Sequence, residues 1–278
     1  MRALILGASG MLGHDLVRSA PPGVELHPFT RAGLDITDTA SLATRISDVK
    51  PDVILNAAAY TAVDRAETET DASYRVNAVA VGELGRIAAK AGARVVHFST
   101  DYVFNGKATR PYREDAPTDP VNAYGASKLA GEQALARSGA DWLIVRTQWL
   151  FGEHGKSFPR TMCERARAGL ATRVVQDQTG RPTYAPDLAA AVWRLIERGA
   201  RGVVHAANDG QATWFEVAAR VFSHAGRPEL LTPCLTTDFP TPARRPRYSV
   251  LDTTRFEEQL GSPLPSWTEA VDRFLQGL

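Results

Sequence analysis

This sequence contains little cysteine, no long apolar runs and no excess of either charge. Its two cysteines, Cys163 and Cys234, are too few and too distant for a disulfide framework or a zinc cluster, so we expect reduced, packed thiols. The 32 basic residues nearly balance the 31 acidic ones, whereas nucleic-acid-binding chains are usually far more basic. No apolar run approaches the roughly 20 residues of a membrane span. We therefore expect no nucleic-acid partner and no membrane.

The remaining composition is that of an ordinary globular protein with a large core, since 44% of the residues are hydrophobic and 23% are charged. At roughly 100–200 residues per domain, 278 residues predict one large domain with a smaller lobe. Met1 and Arg2 lead directly into an apolar run without a signal peptide, so we expect a cytoplasmic protein.

Apolar runs alternate strictly with segments of helical periodicity in the first half of the chain. Strands are predicted at residues 3–6, 24–29, 53–59, 94–100 and 142–149, and helices at 11–19, 40–49, 72–91 and 123–138. This alternation predicts an α/β fold with a doubly wound parallel sheet, the NAD(P)-binding Rossmann fold. We predict a dinucleotide-binding domain over residues 1–150 and a mainly substrate-binding C-terminal lobe over 151–278, with 185–208 returning to the main sheet.

Three glycines, Gly7, Gly10 and Gly13, stand between the first strand and the first helix. A G-x-x-G-x-x-G string is weak evidence alone, because glycines also mark ordinary turns. At a strand–helix junction, however, the backbone can approach a pyrophosphate and the helix N-terminus supplies a positive dipole. The position therefore favours dinucleotide binding.

The cofactor type is indicated after the second strand, where NAD-specific sites usually place an acidic residue. This chain has Arg31 there, which could pair with a 2′-phosphate, so NADPH is favoured. NADH stays open, because Arg31 could equally be a solvated surface charge. Asp35 lies farther along and suits the adenine amino group better than the ribose.

Tyr124 and Lys128 are spaced i, i+4 at the start of a helical stretch, on one face. A free tyrosine titrates near ~10, and a neighbouring ammonium would lower that pKa toward the working range of an acid–base catalyst. Carbonyl reduction needs such a group, because hydride arriving at carbon leaves an alkoxide that must be protonated. The alternative is a surface pair.

Ser99 and Thr100, at the end of the fourth strand, are both candidates for a hydroxyl that binds the substrate carbonyl.

These motifs together resemble the extended short-chain dehydrogenase/reductases, and within them the dTDP-4-dehydrorhamnose reductase group. The most selective strings are Asn-Ala-Ala-Ala-x-Thr-x-Val-Asp at residues 56–64 and Ser-Thr-Asp-Tyr-Val-Phe at 99–104. Further matches lie at residues 146–149, 180–183 and 245–249. The resemblance covers nearly the whole chain.

The resemblance implies that Tyr124 is the proton donor, that Lys128 binds the nicotinamide ribose, and that Thr100 is the hydroxyl partner. With the glycine turn and the second strand, the predicted cofactor-binding residues are Gly7, Gly10, Met11, Leu12, Gly13, Arg31, Asp35, Ile36, Ala57, Ala59, Tyr60, Thr61, Tyr124 and Lys128. The predicted substrate-binding residues are Val63, Thr100, Asp101, Trp149, Arg181 and Arg245, with Arg247 as a further diphosphate candidate. Trp149 could instead belong to the core, and the arginines could be surface charges.

The implied activity is hydride transfer from NADPH to the C4 ketone of a dTDP-linked 6-deoxyhexulose, in a monomer or homodimer. The alternatives are a 4-ketoreductase for another nucleotide deoxysugar and a non-catalytic, cofactor-binding subunit of the kind that partners a methionine adenosyltransferase. Gln148 stands where the group commonly carries a smaller hydroxyl residue. Some members hold magnesium between subunits; Asp15 and Asp187 are the nearest counterparts, and we assign no metal site to them.

Overall fold

Six parallel strands form the central sheet of the molecule. The computed structural model describes residues 1–278. Numbered in chain order with the other strands, they are β1 (Arg2–Leu6), β2 (Glu25–Phe29), β3 (Val53–Asn56), β4 (Arg94–Thr100), β5 (Trp142–Thr147) and β10 (Gly202–His205). The sheet order is β2-β1-β3-β4-β5-β10. All neighbouring pairs run parallel. The predicted doubly wound α/β fold is confirmed.

The order of the strands reverses between β1 and β3, because the chain goes from β1 outward to β2 and then returns to the other side of β1. Loops leaving the carboxyl ends of β1 and β3 diverge at such a point and leave a crevice between them, where doubly wound proteins bind their ligands. The glycine turn follows β1 and the motif beginning at Asn56 follows β3, so both lie at this crevice.

Helices cover both faces of the sheet. One face carries α1 (Met11–Arg18) and α7 (Ala185–Glu197), which pack together over a core of 23 buried residues. The other carries α2 (Thr39–Val49), α4 (Ala80–Ala91) and α5 (Ala123–Ala136) over a core of 15. Alternate residues of β1 enter the two cores, with Ala3 and Ile5 in the first and Leu4 and Leu6 in the second. Because both faces of β1 are buried, its residues Ala3–Leu6 form an unbroken apolar run in the sequence.

The helix predicted at 72–91 is divided in the structure. A short helix α3 (Thr70–Tyr74) passes into one turn of π-helix (Arg75–Val79), and α4 follows. Such turns are rare and commonly lie at functional sites. Here the turn carries Asn77, whose buried side chain accepts a hydrogen bond from the N–H of Tyr60 on the loop after β3.

The C-terminal part builds a separate core of 13 buried residues. Its main elements are α6 (Phe158–Arg167), β7 (Thr172–Val175), α8 (Trp214–His224), β13 (Leu231–Cys234) and α10 (Trp267–Gln276). Helix α8 begins with a capping box between Thr213 and Glu216. Strands β7 and β13 pair in parallel, apart from the main sheet. Cys163 and Cys234 are both free and buried, as predicted.

Short elements connect these parts: β6 (Leu150–Phe151), β8 (Thr179–Gly180), β9 (Thr183–Tyr184), β11 (Asn208–Asp209), β12 (Ala212–Thr213), α9 (Thr254–Leu260) and β14 (Leu264–Ser266). Strand β10 pairs with β5, so the chain returns to the main sheet after α7. None of the helices combines the length and apolar character needed to cross a membrane.

Candidate active site

The glycine turn between β1 and α1 is held in a conformation that larger residues would not adopt. Gly7 has a φ of +76°, and a Cβ atom there would lie 2.7 Å from the backbone nitrogen of Ala58. A Cβ atom on Gly13 would lie 2.2 Å from the Gly7 carbonyl oxygen. Gly10 caps α1 without a side-chain hydrogen bond, so the first N–H groups of the helix are free to bind an anion. The turn therefore has the shape and the donors of a pyrophosphate site.

The loop after β2 places Arg31 and Asp35 beside this turn. The backbone N–H of Ala8 donates to the carbonyl of Phe29 (2.9 Å), which ties the turn to the end of β2. The Arg31 side chain is 86% exposed and its Nε lies 3.3 Å from Asp35 Oδ2. Hydrogen bonds from the backbone and side chain of Thr37 lower the pKa of Asp35. The pair thus presents an exposed cation next to a carboxylate that Thr37 holds in place.

Three predicted cofactor residues direct their side chains away from the crevice. Leu12 is buried in the core under α1 and Ile36 in the core on the opposite face. The Tyr60 hydroxyl donates to Glu69 (2.7 Å). Their predicted contacts with a cofactor therefore come through the main chain. Met11 lies instead close to Gly152, at the start of the C-terminal part.

The loop after β3 carries the predicted residues Ala57, Ala59, Tyr60 and Thr61. Ala59 and Thr61 are exposed at the crevice. The backbone of Tyr60 is held on both sides by Asn77, which accepts from its N–H (2.9 Å) and donates to its carbonyl (3.0 Å).

Asn77 was missed by the sequence reasoning, although it also reaches the helix that carries the predicted acid. Its Nδ2 lies 3.0 Å from Ser127 Oγ in α5, and Ser73 donates to the same hydroxyl (2.8 Å). The Ser127 hydroxyl donates to the carbonyl of Tyr124 (2.7 Å). One buried polar cluster thus links the loop after β3 to α5, and only the π-helical turn brings Asn77 into it.

Helix α5 places Tyr124 and Lys128 against the end of β4. Asn122 caps the helix by accepting from the N–H of Gly125 (2.8 Å). A Cβ atom on Gly125 would lie 2.1 Å from the carbonyl oxygen of Tyr102, so only glycine allows this close approach. The Tyr102 and Tyr124 rings meet edge to face at 5.9 Å. The start of α5 is therefore fixed to the turn that follows β4.

Thr100, rather than Ser99, faces Tyr124. Its hydroxyl donates to Asp101 (3.0 Å), accepts from the N–H of Tyr102 (3.2 Å) and lies next to the phenol of Tyr124. The Ser99 hydroxyl is buried without a hydrogen-bond partner. Thr100, Tyr124 and Asp101 thus form one group at the carboxyl end of β4.

Burial dominates the acid–base properties of this group. Burial and the nearby Asp101 carboxylate together raise the pKa of Tyr124 to about 12, while the neighbouring Thr100 hydroxyl acts in the opposite direction. Burial also raises the pKa of Asp101 to about 7. The expected lowering of the pKa of Tyr124 by Lys128 is not seen, because Lys128 Nζ donates to the Phe98 carbonyl (2.6 Å) and lies 3.1 Å from His97 Nε2. The phenol is therefore protonated at neutral pH, the form a proton donor needs.

His97 is the second residue that the sequence reasoning missed. It is fully buried in β4 beside Asn56 of β3, and its two ring nitrogens contact Asn56 and Lys128. A histidine inside the apolar run Val95-Val96-His97-Phe98 was the available signal, since a buried histidine needs polar partners.

Trp149 follows β5 in a left-handed conformation, with a φ of +47°. Its ring stacks on Trp214 at a centroid distance of 3.6 Å and lies against Gly180, where a Cβ atom would approach the indole to 2.5 Å. The side chain stays partly exposed. Trp149 thus presents an aromatic surface where the sheet domain meets the C-terminal part. Val63, on the loop after β3, is also partly exposed.

The three candidate arginines occupy different surroundings. Arg245 is mostly buried and pairs with Asp64 (2.9 Å) on the loop after β3. Arg181 is also mostly buried and donates to Thr253 (2.9 Å), while its Nε has no partner. Arg247 is 76% exposed and pairs with Asp177. Burial and spare donors favour Arg245 and Arg181 over Arg247 as anion ligands.

Gln148 has an unusual environment. It is 2% exposed, and neither its amide oxygen nor its amide nitrogen has a hydrogen-bond partner in the protein. Leaving a buried amide unpaired costs free energy. A water molecule or a polar ligand would have to supply these hydrogen bonds.

Asp187 and Asp15, the two carboxylates considered for magnesium, do not fit that ion. Both carboxylate oxygens of Asp187 accept from the Arg273 guanidinium (2.8 and 2.6 Å). Asp15 groups instead with His14 and His154, whose imidazoles are poor ligands for magnesium. One ligand atom from each of the three residues lies within 4.8 Å of the others, but a set with two imidazole nitrogens suits a transition metal better than magnesium. No step of the chemistry is assigned to a metal.

Comparison with known proteins gives full-length matches. The model of the family described as "RmlD substrate binding domain" matches residues 1–278. A dTDP-4-dehydrorhamnose reductase of Burkholderia thailandensis is 42% identical, covering 98% of this chain and 97% of that protein. A dTDP-4-keto-6-deoxy-D-glucose reductase of Streptomyces niveus is 40% identical, covering 97% and 95%. The crystal structure of a dTDP-4-dehydrorhamnose reductase from Bacillus anthracis in complex with NADP superposes with a TM-score of 0.96 at 36% identity, covering 100% and 99%.

Proposed function

We infer the function from one premise: this chain belongs to the RmlD substrate-binding domain family. We propose that it is an oxidoreductase that transfers hydride from NADPH to the C4 ketone of dTDP-4-dehydro-L-rhamnose, giving dTDP-L-rhamnose. The observation that carries the proposal is the meeting of Thr100 and Tyr124 at the carboxyl end of β4, with Lys128 one turn along the same helix.

The chemistry of the site follows from these positions. NADPH supplies the hydride when bound; its pyrophosphate would lie on the N-terminus of α1 and its 2′-phosphate beside Arg31. Thr100 orients the ketone oxygen toward Tyr124. The phenol of Tyr124 gives its proton to the alkoxide that forms, and its high pKa keeps that proton in place until then. Lys128 anchors the ribose.

The partner of the enzyme is a nucleotide sugar. Arg245 and Arg181 would bind its diphosphate with the N–H donors that their contacts with Asp64 (2.9 Å) and Asp209 (4.0 Å) leave free, since both arginines are mostly buried. Val63, Asp101 and Trp149 would contact the sugar. We further propose a monomer or homodimer without a nucleic-acid partner, working in the cytoplasm, where buried thiols such as Cys163 stay reduced.

Gln148 supports a second candidate, a 4-ketoreductase for another dTDP-deoxysugar. Its unpaired amide lies beside the proposed sugar contact Trp149. The non-catalytic alternative is disfavoured because Thr100, Tyr124 and Lys128 are all present, with Thr100 and Tyr124 next to each other at the carboxyl end of β4.

NADPH oxidation with two purified substrates, dTDP-4-dehydro-L-rhamnose and dTDP-4-keto-6-deoxy-D-glucose, tests the proposal. We expect kcat/KM to be higher for the first. A higher value for the second would favour the alternative, and no oxidation with either would leave a cofactor-binding role.

The Arg31→Ala variant should bind NADPH about ten- to a hundredfold more weakly and NADH with unchanged affinity. A charge-assisted hydrogen bond to the 2′-phosphate contributes about 1.5–3 kcal/mol, and only NADPH carries that phosphate. Fluorescence titration of both cofactors measures the effect, with the exposed Arg137→Ala as control. If NADPH binding is unaffected, Arg31 is a surface charge.

The Trp149→Ala variant should raise KM for the ketosugar about tenfold while the Kd of NADPH stays constant. The indole offers a flat apolar face to the C–H groups of a 6-deoxyhexose, and Trp149→Phe should keep much of that contact. Thermal melts of the same variants decide the alternative. A core residue would cost about 3–5 kcal/mol on truncation and weaken both ligands together.

A further inference from the structure

Asn56, His97 and Lys128 form a hydrogen-bonded row beneath the proposed catalytic tyrosine. Asn56 Nδ2 lies 3.1 Å from His97 Nδ1, and His97 Nε2 lies 3.1 Å from Lys128 Nζ. All three residues are at most 2% exposed. Asn56 and His97 are register partners on the neighbouring strands β3 and β4, and α5 covers them with Lys128.

The orientation of the Asn56 amide is determined by its other contact. Its Oδ1 accepts from the backbone N–H of Ala58 (3.2 Å), so the NH₂ group must face His97. An amide NH₂ only donates, and Nδ1 of His97 must therefore accept. Burial and the neighbouring Lys128 hold the pKa of His97 well below its usual range, so the ring is neutral. A neutral ring that accepts at Nδ1 carries its one proton on Nε2.

That proton points at Lys128. An ammonium has only N–H donors, so a charged Lys128 would set an N–H against the Nε2–H of His97. An uncharged amine has a lone pair that can accept from Nε2–H while one of its own hydrogens is donated to the Phe98 carbonyl (2.6 Å). The amine is therefore the form of Lys128 whose hydrogen bonds are all complementary.

We propose that Asn56 and His97 are positioning residues for Lys128: Asn56 selects the Nε2–H tautomer of His97, and that N–H favours the amine of Lys128 over the ammonium. The consequence for catalysis rests on the proposed reductase function. Lys128 changes charge close to neutral pH, so the support it would give to the cofactor ribose ends at a lower pH than an ordinary lysine would allow.

The other charges around Lys128 agree with this role. Burial lowers the pKa of Lys128 to about 8, against the opposing effect of the Glu132 carboxylate one turn along α5. Arg146 of β5 binds that carboxylate with two hydrogen bonds and partly offsets its charge. The residues that α3 and the π turn present to α5, Ser73 and Asn77, are uncharged. The ammonium is therefore present below about pH 8 and lost as the pH rises through that value.

Nitrogen-15 NMR of the histidine rings tests the tautomer directly, without substrate or cofactor. Wild-type His97 should show a protonated Nε2 and an unprotonated Nδ1. In Asn56→Asp, a carboxylate oxygen replaces the NH₂ group and accepts from His97, so the proton should move to Nδ1. Nε2 then accepts from the Lys128 ammonium.

The pH profile of kcat/KM tests the consequence. In Asn56→Asp the alkaline limb should move up by about one pH unit, the shift that corresponds to one hydrogen bond. Asn56→Leu separates the effect of the tautomer from that of the added charge. It removes the NH₂ group, so the His97 proton can move from Nε2 to Nδ1, and it introduces no carboxylate. It should move the limb in the same direction by a smaller amount, with thermal melts confirming that both variants fold.

A wild-type His97 that carries its proton on Nδ1 would overturn the proposal, whatever the enzyme reduces. A limb that moves in Asn56→Asp but not in Asn56→Leu would also overturn it, because charge alone would then explain the shift. A protein with the expected tautomer and no reductase activity would instead contradict the proposed function and leave the role of Asn56 standing.

Discussion

Replacing Tyr124 with phenylalanine should lower kcat by about 10²–10⁴-fold, the usual contribution of a general acid, while the Kd of NADPH stays nearly unchanged. The substitution removes only the hydroxyl, and the edge-to-face contact with the Tyr102 ring remains possible. Stopped-flow measurement of single-turnover NADPH oxidation separates the chemical step from product release.

Tyr102→Phe is the matched control, because it removes a neighbouring buried hydroxyl from the same pair of rings. Burial raises the pKa of both tyrosines, so both are protonated throughout the neutral range. We expect at most a small loss of kcat in the control. Equal losses in the two variants, or full activity in Tyr124→Phe, would move the acid elsewhere.

Replacing Glu132 with alanine should destabilise the fold by about 3–5 kcal/mol, because it leaves the Arg146 guanidinium buried without its counter-charge. The side chains of Glu132 and Arg146 are each 5% exposed, and Arg146 donates to both carboxylate oxygens (2.9 and 2.7 Å). The pair fixes α5 to β5. The loss corresponds to a fall in Tm of roughly 10 °C for a domain of this size.

Urea unfolding of Glu132→Ala, with Glu83→Ala as control, measures this effect. Glu83 pairs with Arg86 on the exposed side of α4, where ion pairs contribute about 0–1 kcal/mol. Replacing both buried partners, as Glu132→Leu with Arg146→Met, should recover most of the stability, because no unpaired charge remains. A loss below about 1 kcal/mol in the single variant would show that water reaches Arg146.

The architecture was largely predictable because its signals are local. A strand buried on both faces must be apolar along its whole length, and β1 shows this directly in the run Ala3–Leu6. A turn with positive φ or a close backbone approach requires glycine, as at Gly7 and Gly13. The i, i+4 spacing of Tyr124 and Lys128 likewise places them on one face of any helix.

The motifs predict which residues lie on the cofactor side, but they do not predict how the side chains are oriented. Leu12 and Ile36 lie in the predicted segments, yet both side chains enter the cores, so only their main chains can reach a cofactor. Asn77 was hidden because nothing in the periodicity of residues 72–91 marks the π-helical turn that aims it at Tyr60.

The sequence by itself determined what depends on neighbours along the chain: the alternation of strands and helices, the glycine turn and the i, i+4 pair. The tertiary structure alone decided what depends on burial and on contacts between distant segments. It raised the pKa of Tyr124 where a neighbouring ammonium had been expected to lower it, and it placed Lys128 against His97. The physical reason is that desolvation and hydrogen-bond direction are properties of an enclosed site. His97 lies 41 positions after Asn56 and 31 before Lys128, so the three become neighbours only when the sheet and α5 pack together.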